Sequence, residues 1–241
     1  SDLATENRVL PEYQHLIVDE AHHLEDVATD QLGFAANQRD VFSLLEELSS
    51  DAGAGRSRDA SPGGFLSTVQ AHFLGSNVSK DAQEAIQKQI GEIHGRLQRA
   101  RQTIYEFFNL LSALVNDSME EADDGYAARN KGQKPAYDQP LRVTQGVRSS
   151  EAWTQVELSW DNLTKRLGTV EDGLEKLTGG LSSLAGQKVA DLDALQADLT
   201  GFVNRIRTLR GEGTAIVSEP DRHGIYWLTV AAQDGDVTLH T

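Results

Sequence analysis

The feature that most constrains the fold is a long run of apolar residues in the middle of the chain, spaced alternately four and three positions apart. Its members are Ile86, Ile90, Ile93, Leu97, Ala100, Ile104, Phe107, Leu111 and Leu114. This spacing places the apolar side chains on one stripe of a helix, which predicts knobs-into-holes packing against other helices. A helix from Ser79 to Asn116 would be more than about 50 Å long, at about 1.5 Å per residue.

Two further stripes follow the same spacing. The first contains Trp153, Val156, Trp160, Leu163, Leu167, Val170, Leu174, Leu177, Leu181 and Leu184. The second contains Leu192, Leu195, Leu199, Phe202, Ile206 and Leu209. The phase changes near Ala185-Gly186, which predicts a break between two helices. Glycines at 168, 173, 179 and 180 would weaken the first of these helices, each by about 1 kcal/mol relative to alanine.

Shorter patterns lie on either side of these stripes. Leu16-Ile17-Val18 is typical of a buried strand of a parallel sheet, and residues 21–32 and Arg39–Leu48 have helical composition. Ser49–Gly64 is rich in Gly, Ser, Asp and Arg, which indicates a loop.

Strands are predicted again towards the other end. The β-branched and aromatic runs Thr214–Val217, Gly224–Ala231 and Val237–His240 favour strands, and Leu141–Val147 could form a short one.

The predicted fold is therefore mainly α, with long antiparallel coiled-coil-like helices between short β segments. We interpret the helical region as an insertion that leaves a sheet and returns to it. On this interpretation residues 1–37 belong to an α/β domain, 38–211 form the helical insertion, and 212–241 are return strands.

Asp19-Glu20-Ala21-His22 follows the first predicted strand and carries candidate catalytic chemistry. Ligands of open α/β sheets bind beyond the carboxyl ends of the strands, so Asp19 would lie at that edge. There its carboxylate could hold Mg²⁺ through water, and Glu20 could polarise a water that attacks the γ-phosphate of ATP. His22 would sense the γ-phosphate region. The alternative is that Asp-Glu only caps a helix N-terminus.

The twenty residues from Val9 to Ala28, VLPEYQHLIVDEAHHLEDVA, resemble motif II of the XPD/DinG-type DNA helicases, and bacterial DinG-like members above all. In that family a helical arch domain follows motif II inside a RecA-like motor domain, where the heptad stripes stand here. The resemblance implies a 5′-to-3′ ATP-dependent DNA helicase of repair or replication. It assigns the Mg²⁺ role to Asp19, the catalytic role to Glu20 and the coupling role to His22. Single-stranded DNA and the rest of the motor are the implied partners.

Other helicase parts are missing from these residues. The sequence contains no G-x-x-x-x-G-K-[ST] phosphate loop, and no Gly-Lys pair at all. A second motor domain is also absent, so we expect this chain alone to lack ATPase activity and to bind neither ATP nor Mg²⁺. The alternative interpretation is a helical scaffold or partner-binding protein in which the DEAH sequence is incidental.

A loop with basic and aromatic residues is the predicted DNA contact, since such residues grip single strands by phosphate contact and stacking. Its candidates are Tyr126, Arg129, Lys131, Lys134, Tyr137, Arg142 and Arg148. The arginines at 96, 99, 101, 205, 207 and 210 are instead expected on solvated faces with local ion pairs.

Charge and cysteine content limit the remaining possibilities. The net charge of −15 over 241 residues argues against an autonomous nucleic-acid binder, whose surface is normally basic. The sequence has no cysteine, which excludes disulfides and thiolate metal sites within it and favours the cytoplasm. No window predicts a transmembrane segment, so no membrane partner is expected.

Overall fold

Helices make up most of the structure. The computed structural model of the chain describes residues 33–49, 63–74, 78–122, 138–184, 191–232 and 235–241, with the backbone alone for 118–122. Within these ranges the helices are α1 (Gln38–Leu48), α2 (Gly64–Leu74), α3 (Lys80–Ala122), α4 (Gln145–Arg148), α5 (Glu151–Ser182) and α6 (Leu192–Val217). The strands are β1 (Ala35–Asn37), β2 (Gln139–Arg142), β3 (Trp227–Val230) and β4 (Val237–His240). The prediction of a mainly helical fold is confirmed.

Helices α3 and α5 pack against each other in opposite directions. The rings of Phe107 on α3 and Trp160 on α5 have centroids 5.2 Å apart. Further along, the Arg96 guanidinium donates to the Thr169 carbonyl oxygen at 2.7 Å. Lower residue numbers on α3 thus meet higher numbers on α5, which makes the pair antiparallel.

Helix α6 packs antiparallel to α5, so the bundle of α3, α5 and α6 is held together by α5, which contacts both of the others. At one end of the pair the Trp153 indole Nε1 donates to the Val217 carbonyl oxygen at 3.1 Å. At the other end the Gln196 amide donates to the Ser182 hydroxyl at 3.3 Å. Helix α5 ends at Ser182 and α6 begins at Leu192, so the predicted break near Ala185-Gly186 is confirmed.

The predicted stripes form the core of the bundle. Every residue of the first two stripes is buried, including Trp153 and Trp160. The prediction for the third stripe is wrong at one position, because Phe202 is only half-buried and its neighbour Val203 lies in the core instead. The Phe202 ring lies at the edge of the bundle against Phe65 of α2, with centroids 5.4 Å apart.

Glycine does not interrupt α5, and at one position it serves the packing. A Cβ atom on Gly173 would lie 3.0 Å from Cγ1 of Ile93 and 2.9 Å from a guanidinium nitrogen of Arg96. Gly173 therefore lets α3 approach α5 closely, which offsets the low helix propensity of glycine.

The four described strands form an antiparallel sheet in the order β1-β4-β3-β2. One face of this sheet is buried against the helices by Ala36, Leu228, Val237 and Leu239. Strand β2 comes from within the predicted insertion, so the sheet is not confined to the two ends of the chain. The predicted parallel-sheet strand at residues 16–18 lies outside the described residues.

Three predicted strands need correction. The strand predicted over Thr214–Val217 is wrong, because these residues form the last turn of α6 with Ile216 and Val217 fully buried. The predicted boundary between 211 and 212 consequently falls inside a helix. Gly224–Ala231 contains a shorter strand, β3. Leu141–Val147 is divided, because Thr144 accepts a hydrogen bond from the Val147 amide and caps helix α4.

Within the described residues, none of the helices combines the length and the apolar character needed to span a membrane.

Candidate functional site

The DEAH residues Asp19, Glu20 and His22 lie outside the described residues. The same is true of five predicted DNA contacts, which are Tyr126, Arg129, Lys131, Lys134 and Tyr137. The structure describes the two remaining contacts, Arg142 and Arg148, and the junction that follows the DEAH segment.

That junction, residues 34–37, pairs with β4, the last strand of the sheet in chain order. The Thr241 amide donates to the Phe34 carbonyl oxygen at 3.0 Å, and the ladder continues with Ala35 opposite His240. Asn37 then caps α1, because its side chain accepts from the Asp40 amide while the Asp40 carboxylate accepts from the Asn37 amide. In the sequence, the DEAH segment is therefore followed by β1 and then by α1. Strand β4 and Thr241 pair with β1 and Phe34, so the chain comes back to the point where it entered the helices.

The outer face of the sheet carries a row of side chains across all four strands. Arg142 of β2 lies opposite Trp227 of β3, Trp227 lies opposite His240 of β4, and His240 lies opposite Ala35 of β1. Directly opposite residues of an antiparallel pair point to the same face. Arg142 and Ala35 are exposed, and the two aromatic residues between them are half-buried. We call these four residues the outer row.

Two rings of the outer row are stacked. The indole of Trp227 and the imidazole of His240 have centroids 5.0 Å apart and planes inclined by 2°. The Nε2 atom of His240 is shielded from solvent and has no hydrogen-bond partner. Burial lowers the pKa of His240 below its usual value, so the neutral ring is favoured at neutral pH. A neutral stacked pair next to an exposed arginine is a surface that can bind planar, negatively charged molecules.

Arg148 has a different environment from Arg142. Its guanidinium donates to the carbonyl oxygens of Ile216 at 2.5 Å and Val217 at 2.7 Å, at the end of α6. It also lies over the rings of Trp153 and Tyr226. Desolvation lowers the pKa of Arg148. The structure thus joins Arg148 to the C-terminus of α6, where a cation favours the helix dipole, and it does not bring Arg148 together with Arg142.

The other arginines were expected on solvated faces with local ion pairs, and Arg205 fits this, whereas Arg207 and Arg210 pair with a buried carboxylate and Arg101 caps a helix. Arg207 and Arg210 both contact the buried carboxylate of Glu171, and the Arg207 Nε–Glu171 Oε1 distance is 2.9 Å. Arg205 contacts Glu47 of α1, and this hydrogen bond raises the pKa of Arg205. Arg101 donates to the Ser49 carbonyl oxygen at the end of α1.

Trp227 and His240 were not among the residues that the sequence singled out. The available signal was the alternation of apolar and polar residues in Val237–His240, which places Thr238 and His240 on the polar face. The sequence of Trp227–Val230 does not alternate in this way, so only the strand register places Trp227 and Thr229 on the same face. Their cross-strand pairing follows only from the register of the sheet.

Across the residues that the structure describes, no group of three or more His, Asp or Glu side chains is placed to hold a metal ion. No known protein family model matches the sequence, and no curated protein is significantly similar to it.

Proposed function

We propose that this chain is part of an ATP-dependent 5′-to-3′ DNA helicase that resembles the XPD/DinG type and acts in DNA repair or replication. In this proposal the helices between β1 and β3 form the arch, which encloses or guides single-stranded DNA. The sheet joins this arch to a RecA-like motor domain that includes the DEAH segment, in the cytoplasm.

One structural observation supports the proposal in addition to the DEAH motif. The chain enters the helical body at β1, soon after the DEAH segment, and residues 237–241 pair with β1 and with Phe34. An arch inserted into a motor domain must leave and rejoin it at neighbouring points, and the β1–β4 pair has this geometry. The antiparallel bundle of α3, α5 and α6 is long enough to project from such a base, since the 43 residues of α3 extend about 64 Å.

The proposed chemistry is phosphoryl transfer to water. Bound Mg²⁺ would neutralise charge on the β- and γ-phosphates of ATP. Asp19 would hold the water shell of the ion, and Glu20 would orient and polarise the attacking water. His22 would couple the γ-phosphate region to the DNA-binding parts. The phosphate loop must come from polypeptide outside these residues, because the sequence contains none.

The experiment is a comparison of two isosteric substitutions in the intact protein that contains this chain. Glu20→Gln keeps the shape of the side chain but removes the carboxylate that polarises water. DNA-stimulated ATP hydrolysis should fall by about 10²- to 10⁴-fold, the usual range for loss of a general base. Glu25→Gln, five positions further along the sequence, is the matched control and should retain the wild-type rate.

Binding of ATP should survive Glu20→Gln, because the phosphate loop and Mg²⁺ supply most of the affinity. Equal rates for the two variants, or a wild-type protein without DNA-stimulated hydrolysis, would refute the helicase proposal and favour the helical-scaffold alternative. The 241-residue chain itself is expected to hydrolyse ATP only at background.

A further inference from the structure

We propose that the outer row of the sheet, Arg142-Trp227-His240-Ala35, is a binding platform for single-stranded DNA, on which bases stack against the two aromatic rings. This inference rests on the proposed function for the identity of the nucleic acid. It assigns the DNA contact to the sheet rather than to the loop at residues 126–137.

The first argument is the spacing of the row. Neighbouring strands lie about 4.8 Å apart, and the rings of Trp227 and His240 are already stacked with a centroid distance of 5.0 Å. The next cross-strand neighbour of His240 is Ala35, which is exposed and whose methyl group is too short to cover an imidazole ring. A planar base placed above Ala35 would extend the stack by one member.

The second argument is the unusual composition of this face. A half-exposed tryptophan in the middle of a sheet's outer face leaves apolar ring surface in contact with water. A base supplies a flat apolar face that covers this exposed ring surface.

The third argument is charge. Arg142 is exposed at one end of the row, and Arg222 is exposed in the turn before β3. The nearest strand-end carboxylates, Asp138 and Asp236, precede β2 and β4, so they lie at the opposite ends of those strands. Asp138 accepts from the Ala232 amide at 2.9 Å, and Asp236 pairs with Arg39 at 3.2 Å. Glu219 and Asp221 are exposed in the same turn as Arg222, so the cation that the row itself contributes is Arg142, on a chain whose net charge is −15.

The test measures binding of a fluorescein-labelled oligothymidylate to the 241-residue chain by anisotropy at low salt. Trp227→Ala should weaken binding about 5- to 150-fold, the range expected for loss of one stacked base. Trp227→Phe keeps an aromatic face and should bind within about 5-fold of wild type. Tyr105→Ala removes another exposed aromatic, 56% exposed on α3, and is the matched control that should leave the affinity unchanged.

Intrinsic fluorescence gives an independent readout. Trp153 and Trp160 are 0% and 3% exposed, so quenching by DNA must come from Trp227. Wild type should be quenched on binding, and Trp227→Phe should bind without quenching. Circular dichroism melting of each variant checks that the fold is retained. If Trp227→Ala unfolds the chain, Trp227→Phe and the quenching measurement still decide the question.

Salt dependence separates the platform from the loop. Two phosphate contacts, at Arg142 and Arg222, give a slope of log K against log salt of about −1.4, whereas the three cations of the loop at residues 126–137 (Arg129, Lys131 and Lys134) would give about −2.1. A slope near the larger value, equal affinities for Trp227→Ala and Tyr105→Ala, or no binding by wild type would each overturn the platform. The Glu20→Gln comparison does not involve Trp227, so an active DNA-stimulated enzyme without a platform would refute this inference alone.

Discussion

The close contact between Gly213 of α6 and the Trp160 indole gives the sharpest test of the helix packing. A Cβ atom at Gly213 would lie 2.2 Å from Cη2 and 2.3 Å from Cζ2 of Trp160. Carbon atoms in contact are normally about 3.5–4.0 Å apart, so the ring or the helix would have to move by more than about 1 Å. The ring cannot move freely. It is 3% exposed, it packs against Phe107, and its Nε1 donates to the Thr214 hydroxyl at 3.1 Å.

The size of the effect follows from two destabilising contributions and one stabilising contribution. Overpacking a core costs about 1–3 kcal/mol, and loss of the Trp160–Thr214 hydrogen bond adds about 1 kcal/mol. Replacing glycine by alanine inside a helix stabilises the folded chain by about 1 kcal/mol, because alanine has the higher helix propensity. Gly213→Ala should therefore lower the free energy of unfolding by about 1–3 kcal/mol. For a chain of this size that is a fall in Tm of about 3–10 °C.

The same substitution elsewhere on α6 should have the opposite sign. Gly211 is exposed, and a Cβ atom there would meet no heavy atom within 4 Å. Gly211→Ala should raise the free energy of unfolding by up to about 1 kcal/mol through helix propensity alone. Urea and thermal unfolding followed by circular dichroism measure both variants under identical conditions.

A second substitution identifies the clash as the cause. Trp160→Phe removes the six-membered ring of the indole, which contains both contacting atoms, so Gly213→Ala should cost less in that background than in wild type. A coupling free energy of more than about 1 kcal/mol is expected from this double-mutant cycle. Equal shifts for Gly211→Ala and Gly213→Ala, or additive effects in the cycle, would show that α5 and α6 do not pack in this register.

Two further predictions concern charged groups. Glu171→Gln should lower the free energy of unfolding by about 2–3 kcal/mol, somewhat less than for a fully buried pair, because Arg207 and Arg210 remain 55% and 31% exposed. The exposed Glu175→Gln should cost less than about 1 kcal/mol in the same urea titration, and equal costs would contradict a central role for Glu171. Because burial lowers the pKa of His240, the unfolded chain binds more protons than the folded one, and stability is lost as pH falls through the unfolded pKa of about 6.5. The Tm of wild type relative to His240→Gln should therefore be lower at about pH 5.5 than at about pH 7.5, and a pH-independent difference would argue against burial of this ring.

The sequence by itself determined the three long helices of the bundle. Their apolar stripes are periodic over many turns, so a helix with one buried face accounts for every stripe residue from Ile86 to Leu114 and from Trp153 to Leu184. The break before Leu192 was also predictable, because a change of phase cannot be accommodated on one continuous stripe. The DEAH segment likewise suggested its chemistry from residue types and order alone.

Shorter elements depended on tertiary contacts. Thr214–Val217 has strand composition, yet it continues α6 because the Trp160 indole and the Arg148 guanidinium hold this turn against α5 and α4. Helix α2 is short and apolar on several sides, so its sequence has no clear helical period. Its packing against α1 and α3 is what defines it as a helix. Propensity contributes only tenths of a kcal/mol per residue, and such contacts override it.

The outer row was decided by the tertiary structure alone. The four residues Arg142, Trp227, His240 and Ala35 are separated by up to 205 positions in the sequence, and only the register of the sheet brings them into one line. A local period reports which face a residue occupies, but it carries no information on the partner strand. The sequence therefore determined the helical body and the identity of the DEAH residues, whereas long-range strand pairing created the candidate DNA platform.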